Sequence, residues 1–303
     1  MALPMRSTDF RAIVEPILNE SFDGVYDQRS DEWSQYFDER TGIPRNVHEE
    51  PVLFGMGSAP ELPDGQPVTY DSGGQLYTAR YIYKVYGLAF ALTKVLVEDG
   101  DHIRLGTLFS RHLAQSMVET KETLAANILN RSFNGSYTGG DNVSLISASH
   151  LARNGTWSNR LTTDANLSQS SLEQLLIQIR GATDSNGKKI RITPKKLIVA
   201  PANMLQAEVL LKSVLRTGSA NNDVNPVVSA GLVDKSITVS RLTSSTAWWI
   251  QTDAQEGMKF MPRRKLQKSM EGDFDTDSMR YKATERYAFG WTDPRAVYGT
   301  PGV

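Results

Sequence analysis

Between positions 101 and 133 the polar and apolar side chains sort onto two faces of a helix. Leu105, Phe109, Leu113, Met117, Thr120, Leu124 and Ile128 follow one another in steps of four and three, the spacing that lines up a single face. Arg111, Glu119, Lys121, Glu122 and Arg131 fall mostly off that stripe. Asp101 is placed to cap the start, and Asn134-Gly135 to stop the end. At a rise of about 1.5 Å per residue the predicted rod runs roughly 50 Å. Gly106 is its one flaw, costing about 1 kcal/mol relative to Ala. A rod this long serves as a spine for other elements.

Upstream, TDFRAIVEPILNESF (8–22) predicts a helix interrupted by Pro16. The segment after it is acidic and carries Trp33, Tyr36 and Phe37 without a helical stripe. Such aromatics suit an extended arm that docks by single anchors, or else a surface loop of the same domain. Residues 51–75 hold nine Pro and Gly and cannot build a core. They separate PVLFGM from LYTARYIYKVYGLAF, where Tyr77, Ala79, Tyr81, Tyr83 and Val85 alternate with Thr78, Arg80, Ile82 and Lys84. That period of two predicts a strand. The pair reads as a long hairpin with a projecting tip near Asp64-Gly65 or Ser72-Gly73-Gly74.

Downstream of the rod comes a polar stretch with one short strand predicted near 143–146. A Ser-capped helix follows over 168–182. KKLIVAP (195–201) reads as a buried strand and leads into a Pro-started helix over 202–216. Further strands are predicted at 237–242, 247–252 and 258–266, and the tail alternates from Tyr281 to Arg286. Helices and strands in this mixed order indicate an α+β fold.

Composition narrows the function. The 303 residues are 40% hydrophobic and 22% charged, the profile of a globular chain. The absence of cysteine rules out disulfides, thiol nucleophiles and Cys-ligated metals. No signal core or membrane-length apolar run is present, so a cytoplasmic origin is expected. The net charge of −1 conceals an asymmetry: residues 1–50 carry five Lys/Arg against eleven Asp/Glu, and 188–268 carry fourteen against five. Two differently solvated surfaces would explain it, as would an acidic arm lying on a basic lobe of another copy.

Candidate chemistry is sparse. GATDSNGKK (181–189) resembles a phosphate loop but has the wrong spacing and precedes a strand. Asp273, Asp275 and Asp277 are spaced like the start of a calcium loop, but Ser278 and Thr284 occupy the positions that need Gly and Glu. A solvated acidic turn is expected there, and no metal or cofactor is assigned. The four histidines are scattered, with no HExxH and no GxSxG. Arg263 and Arg264, with Lys265 and Lys268, form a basic cluster without stacking aromatics, which fits a solvated face, an inter-subunit salt bridge or non-specific contact with nucleic acid.

The run YKVYGLAFALTKVLVEDGD, the long helix ending AANILNRSF, GGDNVSLISASH, KKLIVAPANMLQAEVLLKS and ERYAFGWTDPRAVYG occur in that order. Together they resemble the major capsid proteins of tailed double-stranded-DNA phages, nearest to the Mu-like major head subunits. The resemblance implies the Hong Kong ninety-seven-type fold. Residues 1–50 would be an N-terminal arm and 51–87 an extended loop. Residues 88–165 with 270–303 would form a peripheral domain around the spine helix, and 166–269 an axial domain.

Such subunits form hexamers and pentamers that close an icosahedral shell around DNA. The resemblance implies a virion location after synthesis in a bacterial cytoplasm. A separate scaffolding, decoration or portal protein would be a further partner. Inter-subunit contact is expected from Tyr77, Tyr81 and Tyr83 on the hairpin, Trp33 and Phe37 on the arm, and Arg263 and Arg264 on the basic lobe. The alternatives are another phage structural part, such as a tail-tube or decoration protein, or an enzyme with an unfamiliar site.

Overall fold

The computed structural model describes residues 7–28, 31–40, 47–93, 96, 102–216, 223–273 and 278–303. The spine is helix α2 (His102–Asn130), preceded by α1 (Ser7–Tyr26). The predicted cap Asp101 lies outside the described residues. Pro16 does not interrupt α1; it sits on the exposed side while Val14, Leu18 and Phe22 bury a stripe against Leu113, Ala114 and Met117 of α2. Gly106 has its reason here too. A Cβ on it would stand 3.2 Å from Leu18 and 3.3 Å from Leu92, so the missing side chain lets the neighbours close in.

The buried face of α2 is rotated from the predicted stripe. It runs through Ser110, Leu113, Ala114, Met117, Val118, Lys121, Glu122, Ala125, Ala126 and Leu129; of the predicted stripe Leu113 and Met117 are buried, Leu105, Leu124 and Ile128 half-buried, and Phe109 and Thr120 exposed. Small residues carry this face because α1 and the first sheet pack close against it, and its two ionic residues are buried with partners described below.

Twelve strands are described. The first sheet orders β1 (Asp38–Glu39), β10 (Met258–Asp273), β11 (Ser278–Trp291) and β4 (Lys84–Leu92). Its β10–β11 hairpin joins the predicted strand 258–266 and the alternating tail into one antiparallel ribbon. Along β11, Tyr281, Ala283, Glu285 and Tyr287 point inward, as the alternation predicts. The second sheet orders β12 (Val297–Thr300), β9 (Trp248–Thr252), β7 (Pro194–Val199) and β8 (Lys235–Thr238). The predicted strand at 143–146 is absent; that segment is irregular with Leu145 and Ile146 buried, and a short hairpin of β5 (His150–Ala152) and β6 (Gly155–Trp157) follows instead.

Successive side chains on a strand face opposite ways, and Trp248 and Trp249 show what that does here. Trp248 joins Leu172, Leu175 and Leu176 of α3 (Gln169–Arg180) and Ala207 and Leu210 of α4 (Met204–Lys212). Trp249 points the other way, into a core with Ala125, Ala126, Phe260 and Tyr287. The second sheet is therefore covered on both faces. Helix α3 starts at Ser168, whose hydroxyl accepts from the Ser171 backbone in a reciprocal capping box. Helix α4 is shorter than predicted, following a 3-10 turn at Pro201–Asn203, and α5 (Pro226–Ser229) closes the lobe.

Each sheet gathers strands from distant parts of the chain. Position 270 falls inside β10, which pairs with β4's neighbour β11, and β12 near the C-terminus completes the second sheet. The split is therefore not contiguous on either side.

Candidate functional site

The feature that leaves the body is the hairpin of β2 (Val47–Phe54) and β3 (Gly74–Ile82), antiparallel with a shift between Val52 and Leu53. Residues 55–73 between the strands have no regular structure and are exposed. The expected alternation holds from Tyr77 to Tyr83 and then changes phase: Val85 is exposed, and Tyr86 and Phe90 turn inward on β4.

The hairpin root is locked by a polar knot. Lys259, 1% exposed, makes ion pairs with both Glu50 and Glu256. Glu50 also accepts from Thr292 Oγ1 at 2.5 Å and meets His48 Nε2 at 3.0 Å. Burial pushes the Glu50 carboxyl up, but hydrogen bonds from Lys259, Thr292 and His48 together hold it below the usual range. Tyr81 bonds Thr292 Oγ1 at 2.5 Å, Tyr77 donates to the Thr292 carbonyl at 3.2 Å, and the Tyr81 ring lies on Gly290, where a Cβ would be 2.6 Å away. Tyr83 donates to the Met261 sulfur at 3.8 Å. The three tyrosines hold the hairpin to the body, and Tyr81 and Tyr83 are buried with Ala79, Met261 and Ala288 of the same chain.

A second hold sits at the neck. Asn186 Nδ2 donates to the Gly55 carbonyl at 2.6 Å and Lys188 Nζ to the Met56 carbonyl at 2.6 Å. Both come from the GATDSNGKK stretch, whose Asp184 side chain accepts from the backbone of Asn186 and Lys188 to shape a turn with Gly187 at φ 83°. Beyond the neck, Asp71 accepts from Gly57 N–H at 2.5 Å and from Ser72 N–H at 2.8 Å. Those bonds hold its carboxyl below the usual range and close the tip into a loop.

The arm is likewise held by its own chain. Trp33 packs 4.3 Å from Phe260 between ring centroids, Phe37 5.0 Å from Phe289, and both are buried. Both belong to a core cluster of this chain. Three contacts join the acidic segment to the basic one within the chain. Asp23 pairs with Lys268 at 2.5 Å, Glu32 with Arg241 at 3.5 Å, and Lys196 donates to the Gln35 carbonyl at 2.5 Å. Arg263 and Arg264 are half-buried at an irregularity of β10, and Arg264 donates to Thr284 Oγ1 at 3.1 Å. Asp273 pairs with Arg280, while Asp275 and Asp277 lie outside the described residues. Among the described residues no three His, Cys, Asp or Glu side chains gather as a metal site would need.

Two buried groups on α2 escaped the sequence reading. Lys121 Nζ stands 3.0 Å from Glu285 Oε2 and donates to the Tyr26 hydroxyl at 2.5 Å; Tyr26 in turn donates to Glu285 at 3.1 Å. Burial raises the Tyr26 pKa to about 12 despite Lys121. Beside it, Glu122 accepts from the Trp33 N–H at 3.1 Å. Burial raises its pKa to about 7, with Arg241 opposing and Glu32 and Asp31 adding to the rise. The neutral acid is the form the fold prefers. That contribution is complete below the unfolded pKa and is lost as pH rises through about 7. Glu122→Gln should therefore stabilise the subunit by ~1–2 kcal/mol at pH 8.5 and by about nothing at pH 4.5. Urea titrations at the two pH values check it; an equal effect at both would place the carboxyl in water.

His150 is structural. Its ring stacks on Trp157, with Nδ1 2.6 Å from Asp141 and Nε2 2.9 Å from Asn159 Oδ1. Among the described residues no helix is long and apolar enough to cross a membrane.

Residues 78–300 match a family model described as phage capsid protein. The fold is similar to the capsid of cyanophage P-SCSP1u, at 10% identity and a TM-score of 0.56 over 88% of this chain and 86% of that one. It is also similar to the capsid of a native GTA particle, at 11% and 0.54 over 90% of each, and to the capsid of Myoviridae phage XM1, at 11% and 0.50 over 86% and 87%. No curated protein matches the chain. The family match runs over well more than half the sequence, and its fold is that of capsid subunits: the chain belongs to the phage capsid protein family, the structural proteins of the virion shell.

Proposed function

We propose that this capsid protein assembles through hexamers and pentamers into an icosahedral shell enclosing double-stranded DNA, with the hairpin of residues 51–87 lying across a neighbouring subunit. The observation that carries the reading is the hairpin itself. It is clamped at root and neck, yet presents an exposed tip with Met56, Leu62, Val68 and Tyr70 uncovered. Exposed apolar residues gathered on one projection mark an interaction surface. The first sheet with α1 and α2 takes the peripheral role, and the second sheet with α3 to α5 the axial one. Its role is mechanical, without a catalytic step. A separate scaffolding, decoration or portal protein is a further partner, and contact with packaged DNA is charge-driven and non-specific.

Deleting residues 60–74 tests this. The truncated subunit should stay soluble and folded, because the tip contributes nothing to the buried clusters. It should form no shells when expressed beside its neighbouring genes and viewed by negative-stain electron microscopy. Normal shells from that deletion would sink the reading.

A further inference from the structure

Three Asn-Gly pairs occur in the chain, Asn134-Gly135, Asn154-Gly155 and Asn186-Gly187. In such a pair the side-chain amide carbon lies within reach of the next backbone nitrogen, and glycine puts no Cβ in the way. Whether the two meet depends on what each group already holds. Asn186 is clamped: its Nδ2 donates to the Gly55 carbonyl at 2.6 Å, and the Gly187 N–H donates to the Asp184 carbonyl at 3.2 Å. Asn154 sits in the exposed two-residue turn of the β5–β6 hairpin, where Gly155 is the register partner of Ala152. The pair closing such a turn exchanges both backbone hydrogen bonds, so the Gly155 nitrogen is spent.

Asn134 is arranged the other way. It is exposed, past the end of α2, and its main chain is fixed on both sides. The Asn134 N–H donates to the Arg131 carbonyl at 3.0 Å, and the Tyr137 N–H to the Asn134 carbonyl at 3.0 Å. Among the described residues neither the Gly135 N–H nor Asn134 Nδ2 has an acceptor. A Cβ on Gly135 would meet nothing within 4 Å, so the surroundings of the link are open. The Ser136 N–H donates to Asn134 Oδ1 at 2.9 Å. That turn folds the side chain back along the Gly135 peptide link, and its donor already faces the oxygen on which negative charge grows during attack.

We infer that Asn134 is a site of spontaneous deamidation in the folded subunit, and that the fold protects Asn154 and Asn186. The Gly135 nitrogen, losing its proton to solvent base, forms a bond to Asn134 Cγ. The Cγ–Nδ2 bond breaks, and Nδ2 takes up a proton and leaves as ammonia, which closes a succinimide. Water then opens the ring at either carbonyl to give aspartate or isoaspartate. A water is consumed and an ammonia released, with no change of oxidation state. Each event adds a negative charge just past the C-terminus of α2, the end at which the helix dipole disfavours it. Isoaspartate also carries an extra carbon into the main chain of the turn that leads from the spine toward buried Leu145 and Ile146.

The folded subunit, held in mildly alkaline heavy-oxygen water and then digested in ordinary water, reports all three positions by mass spectrometry. Label at position 134 should accumulate about tenfold faster than at 154 or 186, a barrier difference of about 1.4 kcal/mol. In urea the three rates should converge, because the dipeptide is the same and only the fold separates them. Equal rates in the folded subunit, or slowing of Asn134 by folding to the level of the other two, overturns the assignment. Gly135→Ala separates cyclisation from direct hydrolysis. Its Cβ enters open space and the residue lies outside the left-handed region, so the subunit should fold unchanged while label at 134 falls about tenfold. An undiminished rate would mean that no succinimide forms, and it too overturns the assignment.

Discussion

Lys121→Met and Glu285→Gln, made separately, should each lower the unfolding free energy of the subunit by about 3–5 kcal/mol, because each strands the other group in the interior. Their side chains are 11% and 4% exposed, and the pair lies where α2, α1 and the first sheet meet. In that setting Lys121 keeps its charge. Burial pulls its pKa down, but Glu285 and Tyr26 more than offset this and leave it above the usual value. The ammonium also lies 5.0 Å from the Tyr26 ring and 5.6 Å from that of Tyr287. A double replacement, Lys121→Met with Glu285→Leu, should recover most of the loss, since an ion pair exchanged for packed apolar groups is often neutral or better. Urea denaturation of the three variants measures the coupling. Single losses below about 1 kcal/mol would mean that water reaches the pair.

Trp33→Ala should destabilise the unassembled subunit by about 3–5 kcal/mol. The indole fills a space between Phe260 and Phe289 and is 6% exposed. The same replacement distinguishes two roles for the arm. An anchor in a neighbour would leave the lone subunit as stable as before and show its loss only as fewer particles. An anchor in its own core shows the whole loss in the denaturation of single subunits, which is the expected result here. Phe37→Ala should behave in the same way on a smaller scale.

The elements were legible wherever one period ran unbroken. The α2 rod, the Ser168 cap and the alternation from Tyr281 to Tyr287 stand where the spacing places them. The rotation of the α2 stripe was not legible, because the helix buries Ala114, Ala125 and Ala126, which carry little hydrophobic signal, together with Lys121 and Glu122, which carry the opposite one. Their adjacency to that alanine ladder is the only trace in the sequence. The joining of 258–273 to 278–291 as one ribbon was also hidden: Pro262 and five basic residues interrupt the apolar pattern. The hairpin showed clearly as a Pro- and Gly-rich stretch between two strands. What holds it did not, since Lys259, Thr292 and Asn186 lie more than 130 residues away along the chain. The arm's aromatics were recognised as anchors, but composition cannot say in whose core an anchor sits.

Trp248 and Trp249 point into two different cores, so the second sheet cannot swing away from the first without exposing one of them to water. The tryptophan pair therefore opposes hinge motion between the two sheets. A closed shell needs copies of one chain to meet at more than one angle, and sheets held in this way do not supply those angles by bending. The change of curvature must then fall on the segments that bridge subunits. On the proposed reading the hairpin is one such segment, and its neck is held to the body at Gly55 and Met56 by Asn186 and Lys188.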